Sequence, residues 1–263
     1  MNSAAKRTRR LRILRNAGKR LPSVFRTGVL PVAAYGCENT GMDDPDLCRL
    51  RRMAGTASRP FAKQASTTLK LLVFDDPANH VNAAPICRWA KEIWLLGLEG
   101  PAARRRSTTY LAMHRVFKAE QTRLGTSPSW AETRGPAGVL ICTCHRIRWQ
   151  MLTASTVKNH DGRMFDMGAT SPAGIRALVK EATALESQQR AGIALGVPAL
   201  VGNLAIASIR SLIRSKDLTR NQRTTLGALV ANGIWPCARL DMLGMCPSSL
   251  CLACTDQNSL REF

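Results

Sequence analysis

The chain has 263 residues, 45% of them hydrophobic, which is enough to bury a core and to form one or two domains. Its 38 Lys and Arg against 18 Asp and Glu leave a formal charge of +20, a field that attracts polyanions, with nucleic acid foremost. No apolar run approaches the roughly 18 residues of a membrane-spanning helix. Nine cysteines without a secretory signal point to a reducing compartment, so membrane-spanning and disulfide-scaffold classes are set aside.

Residues 1–37 contain no Asp or Glu and carry Lys6, Arg7, Arg9, Arg10, Arg12, Arg15, Lys19, Arg20 and Arg26. Leu11, Leu14, Leu21 and Phe25 fall near one helical face of this segment. Asp44 and Pro45 predict an N-cap and first turn, followed by an inward stripe of Leu47, Leu50, Met53 and Ala54 with Arg49, Arg51 and Arg52 off it. The spacing of Ile86, Trp89, Ala90, Ile93 and Gly97 predicts a helix over 84–97, stopped by Gly97 and Gly100-Pro101. Arg104, Arg105 and Arg106 open a third helix through Tyr110, Met113 and Phe117, and residues 125–139 read as a connector.

Residues 139–151 fit a strand or a helix equally. Ser171-Pro172 caps a helix with Ile175, Leu178, Val179, Ala182 and Leu185 on one face. Gly196-Val197-Pro198 breaks the chain before a helix through Leu204, Ile209, Leu212 and Ile213. A last helix over about 219–231 stops at Asn232-Gly233. Strands remain candidates near 29–35, 70–74 and 139–149, but nothing alternates as βαβ, so the fold class is mainly α.

Few residues carry chemistry. Asp75-Asp76 has the look of a polymerase metal pair, but Phe74 precedes it directly and Pro77 follows, which suits the capping of a helix start better than shared Mg²⁺ ligation. Cys142-Thr143-Cys144-His145 is spaced too tightly for a wrapped zinc ion, and His160 stands alone as a further ligand. Cys251-x-x-Cys254 has the spacing of a zinc half-site, with Cys246 as a third thiolate and Cys237 as a candidate fourth. Cys246, Cys251 and Cys254 are therefore the candidate metal ligands; no motif for another cofactor or for a small-molecule substrate is present. Trp89, Trp94, Trp130, Trp149 and Trp235 are able to stack on bases, although Trp89 falls on the inward stripe of its helix.

The segment Arg26-Thr-Gly-Val-Leu-Pro-Val-Ala-Ala-Tyr35-Gly36-Cys37-Glu38, followed by the basic helix ending Leu50-Arg51-Arg52-Met53, resembles the stretch just after the palm in non-LTR (LINE-type) retrotransposon reverse transcriptases. The resemblance covers about residues 20–56 and recurs around 231–254, where Trp235-Pro236, Arg239-Leu240 and the cysteines belong to it. Asn39-Thr40-Gly41 stands where the family carries a tryptophan, and neither His nor Cys follows Cys254 where the family carries both. The resemblance implies a helical thumb that grips the template–primer duplex by its backbone, and catalytic aspartates upstream of Met1. It also implies structural roles for the matched residues, with Tyr35 packing and Gly36 permitting a tight turn.

These readings divide the chain into a basic thumb-like helical segment over 1–60, a helical connector region over 61–232 and a Cys-containing tail over 233–263. The expected function is that of a retrotransposon RNA-directed DNA polymerase fragment, not itself an enzyme, binding RNA or RNA–DNA duplex without sequence preference. Phosphate contacts are expected from Lys6, Arg7, Arg9, Arg10, Arg12, Arg15, Lys19 and Arg20, with Arg104, Arg105 and Arg106 as a second patch. Such a protein is nuclear or cytoplasmic. An Arg-rich, acid-free start also matches a transit segment, so a mitochondrial ribonucleoprotein subunit is the alternative, and a degenerate reading frame is the third.

Overall fold

A computed structural model describes residues 2–16, 21–57, 65–98, 100–195 and 206–231. The protein is mainly α, with one small antiparallel sheet. Helix α1 (Asn2–Asn16) leads into α2 (Leu21–Val24), a π-turn over Phe25–Val29 and α3 (Leu30–Ala33). Pro31 explains the widened turn: it has no N–H to donate to the Thr27 carbonyl and its ring crowds that oxygen, while the Leu30 amide reaches back to the Phe25 carbonyl. Gly36, in the left-handed region at φ 77°, then turns the chain into α4 (Cys37–Thr40).

The long helices follow. Helix α5 (Asp44–Ala57) buries Leu47, Leu50, Met53 and Ala54 as its stripe requires. Its capping carboxylate lies one residue earlier than the sequence suggested, since Asp43 Oδ1 accepts the Asp46 amide at 2.8 Å. After α6 (Thr67–Phe74), Asp76 Oδ1 accepts the Ala78 amide at 2.9 Å and opens α7 (Ala78–Gly97), the capping role expected of the Asp pair. Helix α7 starts six residues before the predicted 84 and carries Pro85 inside it, losing one backbone bond without breaking.

The predicted third helix is two: α8 (Pro101–Arg106) and α9 (Thr108–Leu124), separated by Ser107, whose hydroxyl caps α9. The expected connector ends early, because α10 (Gly135–Arg146) begins at a first-turn proline, Pro136. The ambiguous 139–151 segment is thus mostly helical, as are the candidate strands at 29–35 and 70–74. Sheet pairing occurs instead at β1 (Gln150–Met151), β2 (Thr156–Lys158) and β3 (Met164–Asp166), a meander pairing Met151 with Val157 and Val157 with Phe165. Helices α11 (Pro172–Leu195), α12 (Ile206–Arg214) and α13 (Arg220–Val230) follow, the last with a reciprocal capping box between Thr219 and Gln222.

Two large apolar clusters hold most of these elements, and a small third one packs Leu69 and Leu72 of α6 against Ala191 of α11. One large cluster runs from Ala4 through Phe25, Leu47 and Leu50 and continues past residue 60 onto Leu71, Ala78 and Val81. The other gathers Ile86, Trp89, Ile93, Phe117, Leu140, Trp149, Ile175 and Val179. Helix α7 serves both, its first turns in one cluster and its later turns in the other. Trp89 is a core residue, its Nε1 donating to the Ala154 carbonyl at 2.7 Å. Among the described residues no helix is long and apolar enough to cross a membrane.

Candidate nucleic-acid interface

Small residues dock α1 on the N-terminal cluster. Ala4 and Thr8, one turn apart, are buried there, and Thr8 closes its hydroxyl on the Ala4 carbonyl. That arrangement leaves Lys6, Arg7, Arg9 and Arg10 exposed on a helix segment with no carboxylate. Arg7 donates to the Gly28 carbonyl at 2.7 Å, which ties α1 to the π-turn. Arg12 and Arg15 lie further along the same helix. Lys19 and Arg20 fall outside the described residues, as do Cys246, Cys251 and Cys254 with the zinc half-site.

The second expected patch keeps only two of its three cations. Arg105 and Arg106 are exposed, but Arg104 is 8% exposed and clamps Asp166 with two bonds of 2.9 and 2.6 Å. It anchors α8 to β3 and is not available to phosphate. Arg51, expected off the apolar stripe of α5, is likewise buried and pairs with Asp76 while also donating to Ser187 Oγ at 3.1 Å. Tyr35 is 91% exposed and does not pack, contrary to its expected structural role. Cys142 and Cys144 are buried on α10, their thiols pushed up by burial, and His145 is exposed. Among the described residues no three His, Cys, Asp or Glu side chains come together as a metal site.

Sequence reading missed a cleft of about 1290 Å³ between α5, α10, β1 and α11. Arg146 ties its walls together. Its Nε pairs with Asp44 at 2.8 Å, its Nη1 with Asn82 Oδ1 at 3.2 Å and its Nη2 with the Met42 carbonyl, while the guanidinium stacks 4.4 Å above Trp130. Arg190 Nε pairs with Glu186 Oε1 at 2.8 Å. The Glu186 carboxyl is pushed up to about 7, chiefly by burial and further by Asp76, against the pull of Arg51, Arg148 and Arg146. Arg52 and Arg148 line the cleft exposed, with no side-chain hydrogen bond or ion pair among the described residues.

No protein-family model matches this chain, and neither a curated protein nor a solved structure does. The cleft was invisible in the sequence because its walls come from segments about a hundred residues apart, as the Arg146–Asp44 pair illustrates with a separation of 102.

Proposed function

We propose that the protein is a nucleic-acid-binding segment related to non-LTR retrotransposon polymerases, lying outside the catalytic palm. It binds RNA or RNA–DNA duplex through backbone phosphates and does not polymerise. The observation that carries the binding is the exposed cationic face of α1, with Lys6, Arg7, Arg9 and Arg10 presented by a helix segment that has no acid to neutralise them. Arg105 and Arg106 add a second contact. The lineage rests on the Tyr35-Gly36-Cys37-Glu38 motif, where Gly36 makes the tight turn the resemblance implies.

Phosphate neutralisation releases counterions, so affinity falls linearly with the logarithm of salt concentration, by about 0.9 in log–log slope per duplex phosphate contacted. Replacing Lys6, Arg7, Arg9 and Arg10 together by Ala therefore lowers the slope and weakens binding to duplexes of any sequence alike. A variant that binds duplex as the parent does, with the same slope, removes α1 from the interface and the proposal with it. Nucleotide incorporation by the purified chain on a primed template refutes the non-catalytic assignment.

A further inference from the structure

The cleft between α5, α10, β1 and α11 holds more guanidinium than its own carboxylates and their neighbours engage. Arg51 is committed to Asp76, Arg146 to Asp44 and Arg190 to Glu186. Arg52 from α5 and Arg148 from the turn after α10 make no side-chain hydrogen bond or ion pair among the described residues, Arg148 acting on Glu186 only at a distance, and both line the same space. Arg148 is also the one non-glycine residue among those described whose backbone lies in the left-handed region, at φ 59°. Gly or Asn adopts that conformation more readily, so the turn alone does not call for an arginine. Strain held at an unpaired cation in a cleft is a mark of a binding site.

Two donors in the lining also lack acceptors. Arg51 Nε and Trp149 Nε1 belong to lining residues and are buried with no hydrogen-bond acceptor. Apolar wall is supplied by Leu47, Ile141 and Met151. At about 1290 Å³ the space exceeds the roughly 300–1,000 Å³ of single small-molecule sites. Two unpaired guanidiniums, apolar walls for bases and a volume beyond one nucleotide match a short single strand.

We propose that this cleft binds a segment of two or three nucleotides of single-stranded nucleic acid, with Arg52 and Arg148 each taking one phosphate. The site takes its ligand class from the nucleic-acid reading above and is separate from α1. A fluorescently labelled trinucleotide, followed by anisotropy with the full chain at low salt, tests it. The pair Arg52→Ala with Arg148→Gly loses roughly tenfold or more in affinity and about 1.4 in salt slope, two single-strand contacts of about 0.7 each. Glycine at 148 suits the backbone, and Arg52→Ala alone, at an exposed helix position, reads half of the slope change if the double variant unfolds.

The α1 quadruple variant keeps its trinucleotide affinity while losing duplex binding, which separates failure of one site from failure of the other. The cleft assignment is overturned if the trinucleotide does not bind, or if its affinity is unchanged by Arg52→Ala and Arg148→Gly. It is overturned equally if adenosine monophosphate occupies the cleft as tightly as the trinucleotide, since one phosphate then suffices.

Discussion

Replacing Glu186 by Gln isolates a stability effect whose sign depends on pH. The side chain is 20% exposed on α11 and faces Arg51 from α5, Asp76 at the start of α7, Arg146 on α10, Arg148 beyond it and Arg190 one turn along its own helix. Burial lifts its carboxyl from 4.5 to about 7. Between those values the folded protein holds a proton that the unfolded chain releases. The contribution is therefore fully present below 4.5 and is lost as pH rises through about 7. The difference corresponds to at most about 3.4 kcal/mol. Residual solvent access and the screened contact with half-exposed Arg190 reduce it to about 2 kcal/mol.

Urea unfolding of the parent and Glu186→Gln at pH 5 and pH 8 measures this directly. The variant is expected to gain about 2 kcal/mol relative to the parent on going from pH 5 to pH 8, because its amide cannot ionise. Histidines and other carboxylates are common to both proteins and cancel in the comparison. Parallel pH profiles for the two proteins would refute the reasoning, since they would mean that Glu186 titrates alike in the folded and unfolded chain.

The buried Arg51–Asp76 pair gives a second test. Asp76→Asn alone leaves the Arg51 charge without its counterion and should cost about 3–5 kcal/mol, whereas Arg51→Met with Asp76→Leu should cost much less; a double-mutant cycle by urea unfolding reads the coupling. Gly41→Ala should destabilise by about 1–3 kcal/mol. The backbone there is at φ 68° and a Cβ would lie 2.5 Å from the Trp130 ring, so an unchanged melting temperature would show that neither the backbone strain nor the ring contact costs the fold anything.

Local patterns in the sequence were readable where one helix faces one core. The stripe on α5 and the face of α11 carrying Ile175, Val179 and Ala182 are buried as their 3.6-residue spacing requires. The sheet escaped because its strands are two or three residues long, too short for alternation to register, and the turns around them carry no repeated signature. The roles of Arg51 and Arg104 escaped for a different reason. Each looks like a surface cation in its own helix, and only a carboxylate 25 or 62 residues away turns it inward. Of the binding residues, the exposed cations of α1 were legible from an acid-free run; the Arg52–Arg148 cleft was not, because burial decides which arginines are engaged and which are left over.

Arg146 also bears on how the chain reaches this state. Its guanidinium joins residues separated from it by 102, 64 and 104 positions, so its bonds form only after α10 meets both the segment before α5 and the body of α7. Each closure is entropically costly until neighbouring contacts are in place. The side chain is therefore expected to act as a late clasp rather than a nucleus, so that Arg146→Ala should hasten unfolding far more than it slows folding in stopped-flow measurements.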